Sequence, residues 1–184
     1  MSAKSFISQF LKKGNKVGAI APSSRYLAAK MLKQIPFKSC ETIVEFGPGT
    51  GAITAYIKEK MNPNARLIII ELNESFCDDL SRKFASSNTE IIQGSATDLS
   101  NILTERGIQH ADCIISSLPL AIFNETLREQ ILTSAYQCLS SGGHFVQFQY
   151  SLQSKKAIKR HFNQMNLAFT ALNLPPAFVY SCKK

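Results

Sequence analysis

The sequence predicts an α/β fold, a mostly parallel sheet with helices on both faces and an antiparallel hairpin strand at the carboxyl end. Three observations predict it. From residue 41 onward, apolar runs of strand length alternate with helical patterns, the signature of a parallel sheet covered on both sides. A glycine-rich stretch follows the first of these runs without a break, as Gly47, Gly49 and Gly51. The last two apolar runs flank Pro175–Pro176 with no helix between them.

The elements follow in order. "ETIVEFG" (41–47) reads as a buried strand, and "GAITAYIKEKM" (51–61) as a helix with Ile53, Ile57 and Met61 on one face. "NPN" (62–64) is a turn. "RLIIIELN" (66–73) and "ESFCDDLSRKFA" (74–85) are the second strand and helix. "TEIIQGSA" (89–96) is the third strand, and "DLSNILTERG" (98–107) a short helix closed by Gly107. "ADCIISSLPL" (111–120) is a fourth strand, and "ETLREQILTSAYQCLS" (125–140) a helix stopped by Gly142–Gly143. "HFVQFQY" (144–150) is the fifth strand, "SKKAIKRHFNQM" (154–165) a basic helix, and 167–174 with 177–183 the closing pair.

With 184 residues, 45% of them hydrophobic, the chain can bury a full core. Apolar runs stay far below the ~18 residues of a membrane span, and no signal-peptide pattern opens the chain. A cytoplasmic protein is expected. Cys40, Cys77, Cys113, Cys138 and Cys182 are scattered and odd in number, which reads as reduced core thiols. His110, His144 and His161 have no ligand spacing, so no metal is expected.

Charge is distributed unevenly within a net +8. All thirteen acidic residues lie between Glu41 and Glu129, whereas residues 1–40 and 130–184 carry eight and six basic residues and no acid. Two cationic ends favour a phosphate-bearing partner, a membrane surface or a nucleic acid. Residues 1–40 are read as a basic amphipathic amino-terminal segment and 41–184 as the main domain. Within the first, residues 5–16 put Phe6, Ile7, Phe10 and Leu11 on one helical face, flanked by Lys4, Lys12, Lys13 and Lys16, a pattern suited to an anionic membrane.

Ligands of open parallel sheets bind beyond the carboxyl ends of the strands. The glycine spacing here is G-x-G-x-G behind an acid, Glu45, which departs from the dinucleotide fingerprint G-x-G-x-x-G. Glu71 ends the second strand, where a carboxylate can accept both hydroxyls of a ribose. The ligand is therefore expected to carry a ribose without a required pyrophosphate.

From about residue 40 to the end, these features resemble the class I methyltransferases, Rossmann-like enzymes that use S-adenosylmethionine. "VEFGPGTG" is similar to their first motif and "IIIELN" to their second. The resemblance implies cofactor contacts from Glu45, Gly47, Gly49, Gly51, Glu71, Leu72, Ser95, Ala96 and Ser116. Where the family often carries G-D-A, this chain has Gly94–Ser95–Ala96, so a hydrogen bond from that position would be neutral.

The stretch after strand four usually reports the substrate. Base methylases of the adenine-N6 and cytosine-N4 type carry N-P-P-Y there, whereas this chain has Ser116–Ser117–Leu118–Pro119–Leu120. Three further stretches, "VGAIAPSSRYLA" (17–28), "SSLPL" (116–120) with "QFQY" (147–150), and "NLPPAFVY" (173–180), resemble the bacterial phospholipid N-methyltransferases, relatives of the rRNA adenine dimethylases. That resemblance implies a peripheral enzyme on the inner face of the membrane, methylating the head-group amine of phosphatidylethanolamine towards phosphatidylcholine. Tyr26, Tyr150 and Tyr180 are the candidate catalytic residues, and Arg25, Leu118 and Phe123 the candidate substrate contacts. Aromatic rings at Tyr26, Phe123, Tyr150 and Tyr180 would hold an ammonium head group by cation–π attraction. The alternatives are an RNA adenine methyltransferase gripping phosphates with its basic ends, a small-molecule methyltransferase, and a noncatalytic cofactor- or membrane-binding module.

Overall fold

A computed structural model describes residues 24–184. The helix expected over residues 5–16 lies outside the described residues. The first described helix, α1 (Arg25–Leu32), starts at Ser24, whose side chain accepts the Leu27 amide. It buries Leu27, Ala28, Met31 and Leu32 in the same cluster as Ile43, Ile69 and Val179 of the sheet. The boundary expected at residue 40 therefore does not separate two cores.

Strands β1 (Thr42–Phe46), β2 (Arg66–Glu71), β3 (Thr89–Gln93), β4 (Ala111–Ser116) and β5 (Leu139–Gln149) run parallel. Strands β6 (Gln164–Thr170) and β7 (Ala177–Lys183) form an antiparallel hairpin, and β7 pairs antiparallel with β5. Among the described residues the sheet order is β3-β2-β1-β4-β5-β7-β6. The chain starts in the middle and winds outward both ways, so the switch point lies between β1 and β4.

Helices α2 (Ala52–Lys60) and α3 (Glu74–Phe84) join α1 on one face, where Ile53, Ile57 and Leu80 cover Ile43, Leu67 and Ile69. Helices α4 (Leu99–Thr104), α5 (Glu125–Cys138) and α6 (Lys155–His161) cover the other, where Leu103, Ile131 and Ile158 share a cluster with Val44, Ile114 and Phe145. The central strands are buried on both faces, which explains why "TIV" and "LIII" show no polar alternation. All five cysteines are free and buried.

Several boundaries moved for identifiable reasons. Strand β2 stops at Glu71 because Asn73 caps α3, accepting the Phe76 amide. Strand β3 stops at Gln93, and Ser95 caps a short turn of 3₁₀ helix, Ala96–Asp98. Strand β4 stops at Ser116, ahead of a second 3₁₀ turn at Leu120–Ile122. Gly142–Gly143 do not stop α5. The helix ends at Cys138, and the glycines lie inside β5, where Gly142 N–H donates to Lys184 O and Lys184 N–H to Gly143 O. Helix α6 ends at His161, short of the expected Met165, because Phe162 is buried and stacked on Phe145 at 4.9 Å and β6 pairs with β7 from Gln164 onward. Gly107 does close α4, its φ of +65° letting Ile108 N–H reach back to Leu103 O.

Gly51 opens α2 in the left-handed region, at φ +82°, and a Cβ there would lie 2.5 Å from the Phe84 ring. Gly49 is also left-handed, at φ +57°, yet a Cβ there meets nothing within 4 Å. Gly51→Ala is therefore expected to cost roughly 1–2 kcal/mol for the backbone and about 1–3 more for displacing the ring, while Gly49→Ala costs the backbone part alone. Urea titration of both variants checks this, and equal losses would refute the ring contact as the source of the difference.

Candidate functional site

The parallel strands deliver the loops after β1, β2, β3, β4 and β5 to one end of the sheet. Three backbone bonds hold the central loops in step there: Gly47 N–H to Ile70 O, Ser117 N–H to Phe46 O and Gly94 N–H to Glu71 O, each at 2.9 Å. Two surface depressions of about 240 and 780 Å³ lie at the opposite end, both bordered by Arg66 at the start of β2. The residues with chemical capacity gather at the carboxyl end instead, and the strand topology places the site there.

Two buried carboxylates frame the glycine loop. Glu45 is fully buried near the end of β1, and Oε2 accepts a 2.7 Å bond from Thr54 Oγ1 on α2. Its Oε1 is buried with no hydrogen-bond partner among the described residues. Burial pushes its pKa up to about 8, with the Thr54 bond acting against the rise and the Glu71 charge adding to it. Glu71 accepts the amides of Leu72 and Asn73 on Oε1, at 2.8 and 2.9 Å, and the amide of Gly49 on Oε2 at 3.2 Å. Burial raises its pKa too, and these backbone bonds oppose the rise.

Between the two carboxylates the loop leaves open space over Gly49, while a Cβ on Gly47 would lie 2.6 Å from Leu118 Cδ2. The cleft is thus open at its centre and closed at the flank by the loop after β4. A buried carboxyl oxygen without a partner, next to bare backbone and a second acid, fits a ligand with polar N–H groups and ribose hydroxyls. S-Adenosylmethionine carries both. Glu45 and the glycine loop are the residues that could hold its amino-acid part, and Glu71 its ribose. Leu72, Ser95 and Ala96 border the β2 and β3 ends. Ser95 is buried and engaged with Thr97, its Oγ 2.8 Å from Thr97 Oγ1.

The loop after β4 is fixed by residues the sequence reading left without a role. Gln147 and Gln149 of β5 both donate from Nε2 to Leu118 O, at 3.0 and 2.8 Å, and Gln149 Oε1 accepts the Ala121 amide. Ser116 Oγ accepts the Leu118 amide. Two amides spaced by two residues at the end of an apolar strand, as in "QFQ", were the available signal: they share one face of the sheet.

The expected ring of aromatic residues is only half assembled. Tyr26 and Tyr150 are exposed, whereas Phe123 and Tyr180 belong to the apolar core. Phe123 packs with Leu120 and Leu127, and Tyr180 spans the core to donate to Ser151 O at 3.4 Å. Both are corrected to packing residues. Arg25 donates to the Tyr26 hydroxyl at 2.8 Å, with its guanidinium 4.8 Å from the centre of that ring. Tyr150 lies beside Asn173, and its ring stands edge-on to Phe148 at 5.5 Å.

Comparison with known proteins agrees with this geometry. Residues 43–143 match the methyltransferase domain family. The chain belongs to that family. It is 33% identical to an ornithine lipid N-methyltransferase of Singulisphaera acidiphila over 97% of this chain and 94% of that one. It is also 34% identical to the ribosomal RNA small subunit methyltransferase A of Mycoplasma capricolum, over 47% of this chain and 32% of that one. Among solved structures, the Burkholderia thailandensis 1,6-didemethyltoxoflavin-N1-methyltransferase, with S-adenosylhomocysteine bound, superposes with a TM-score of 0.71 at 14% identity, covering 98% of this chain and 85% of that one. The protein is an S-adenosylmethionine-dependent methyltransferase with a Rossmann-like sheet.

Two expectations test how the methyltransferase site is built. Glu71→Ala should weaken S-adenosylmethionine binding by about 1–3 kcal/mol, the usual loss when a charge-assisted hydrogen bond goes unmade. Calorimetry on the folded variant measures it, and an unchanged affinity would remove Glu71 from the ribose.

The second concerns Glu45. Its folded pKa, near 8, lies above the ordinary 4.5. The folded state therefore holds a proton that the unfolded chain gives up. The stability this contributes is complete below pH 4.5 and is lost as pH rises towards 8. The slope is at most about 1.4 kcal/mol per pH unit. Subtracting the urea stability of Glu45→Gln from that of wild type should leave this slope. A flat difference would mean Glu45 is ionised in the fold.

Proposed function

We propose that the methyltransferase methylates the primary amine of a phospholipid head group, phosphatidylethanolamine, while resting on the inner face of the membrane. The observation that supports a lipid amine is the relation to the Singulisphaera ornithine lipid N-methyltransferase, which extends over nearly the full length of both chains. The ribosomal RNA relative matches less than half of this chain. Peripheral attachment agrees with the net charge of +8, and no described helix is long and apolar enough to cross a membrane.

When bound, S-adenosylmethionine supplies an electrophilic methyl group for in-line displacement. The chain must orient the acceptor nitrogen with its lone pair free. Leu118 O is not available for that purpose, because it already accepts from Gln147, Gln149 and the Leu120 amide. Tyr26 and Tyr150 remain as rings exposed at this end of the sheet. Burial holds the Tyr150 pKa above its usual 10, so it stays a neutral phenol and offers a ring face and a hydroxyl rather than a phenolate base. Neither carboxylate is placed to take the amine proton: Glu71 is engaged by backbone amides and Glu45 lies fully inside the fold. The proton leaves to water before the new N–C bond forms.

The test presents labelled methyl donor with vesicles of phosphatidylethanolamine, vesicles carrying ornithine lipid, and small-subunit ribosomal RNA. Label in phosphatidylethanolamine is the expected result. Label confined to ornithine lipid would keep a lipid amine but overturn this head group, and label in RNA alone would overturn the lipid reading.

A further inference from the structure

The β6–β7 hairpin turn is built in an unusual way for a surface loop. Its central residue, Asn173, is only 4% exposed and is held by two hydrogen bonds of its side chain. It accepts the Ser24 amide at 2.9 Å, donates to Pro175 O at 2.8 Å, and lies beside Tyr150. Ser24 Oγ adds a 2.9 Å bond to Leu172 O. The two residues beside this anchor point the other way: Leu172 is 64% exposed and Leu174 is 80% exposed. A solvated loop gains nothing from fixing its backbone in order to hold two leucines in water, since each would be stabilised by leaving it.

The leucines are not isolated. Three segments meet at Asn173, the turn itself, the loop after β5 and the start of α1, and each of them presents a large apolar side chain. Tyr150 and Leu152 are exposed after β5, Tyr26 at the start of α1, and Phe169 at the end of β6 beside Phe178. Because β7 runs antiparallel to β5, with Phe178 opposite Gln149, the turn stands at the carboxyl end of the parallel strands, where the cofactor site lies. Charge accompanies this rim. Lys155 and Lys156 open α6, three residues past Leu152, and both are exposed. Arg25 stands at Tyr26, and the sequence holds no acid from residue 130 to the end.

The geometry points to the β6–β7 turn as a membrane-docking tip, inserting Leu172 and Leu174 among the lipids of an anionic bilayer while Lys155 and Lys156 meet the head groups. Apolar residues beside cations are the combination that such an interface selects. The inference rests on the lipid reading above and deepens it. A tip anchored to Ser24 at the start of α1 fixes the distance between the bilayer and the site mouth, so the head-group amine reaches the cofactor without the lipid leaving the membrane.

The test uses the full chain. Leu172→Asp with Leu174→Asp changes only exposed side chains. Sedimentation with phosphatidylglycerol–phosphatidylethanolamine vesicles should show partitioning reduced by about tenfold or more. Cofactor affinity and methyl transfer to the same lipid in detergent micelles should be unchanged. Lys155→Gln with Lys156→Gln should flatten the salt dependence of vesicle binding. Vesicle binding by the aspartate variant equal to wild type would overturn the tip and leave the lipid substrate standing. A lowered thermal midpoint or cofactor affinity would show that the leucines pack against the chain itself, residues 1–23 included, and would also overturn it. Absence of transfer to any lipid by wild type would instead remove the proposed function.

Discussion

The carboxylate of Glu71 sits where two chain reversals meet, and the carboxyl end of the sheet depends on it. One oxygen accepts from Gly49, in the loop after β1, and the other from Leu72 and Asn73, in the loop after β2. Without it, three amides at the end of a buried strand would lose their acceptor. The same group is the only acid at the end of β2 and the candidate for a ribose, so folding and ligand recognition draw on one side chain. Burial raises its pKa while three backbone donors resist the rise, and the same donors fix where its two oxygens sit.

Backbone requirements were the legible part of the sequence. Gly47, Gly49 and Gly51 all have positive φ, a demand that side chains cannot disguise, and Gly107 closes its helix for the same reason. Parallel strands were legible because burial on both faces removes polar residues from them. The double burial also hid which aromatic residues face a ligand. In β7, Ala177 and Val179 face one core cluster and Tyr180 and Cys182 the other, so alternation carries no information about which side is wet. Tyr180 and Phe123 were misplaced for that reason. Gly142–Gly143 were misread because a helix stop and a distorted strand place the same demand on φ, and only the pairing with Lys184 distinguishes them.

Long-range hydrogen bonds were illegible for a different reason. Gln147 and Gln149 reach Leu118 about thirty positions away in sequence, and Asn173 reaches Ser24 across 149. No local pattern announces such partners. They nonetheless decide the shape of the site: the glutamines saturate the Leu118 carbonyl, and Asn173 ties the hairpin turn to the start of α1. A carbonyl already holding three donors, the Leu120 amide included, is a wall to the amine we propose as acceptor. Tertiary and quaternary ammonium products have progressively fewer N–H groups to give a carbonyl, so ring faces suit repeated methylation of one nitrogen better than an acceptor would.

Sheet order then separates two environments at one end of the molecule. β2, with Glu71, lies one strand in from the β3 edge, while the β6–β7 hairpin forms the opposite edge, with β1, β4 and β5 between them. A water-soluble, charged cofactor and the membrane-bound acceptor we propose need unlike surroundings, yet their reacting atoms must meet. An all-parallel sheet would return each connection through a crossover helix and present helix ends along the rim. Reversing the last strand, β7, replaces one of those crossovers with a turn at the carboxyl end. The turn is short enough to be fixed by a single asparagine and free to carry leucines instead of a helix cap. The antiparallel hairpin thus supplies an apolar edge next to a polar cleft without burying either in the other.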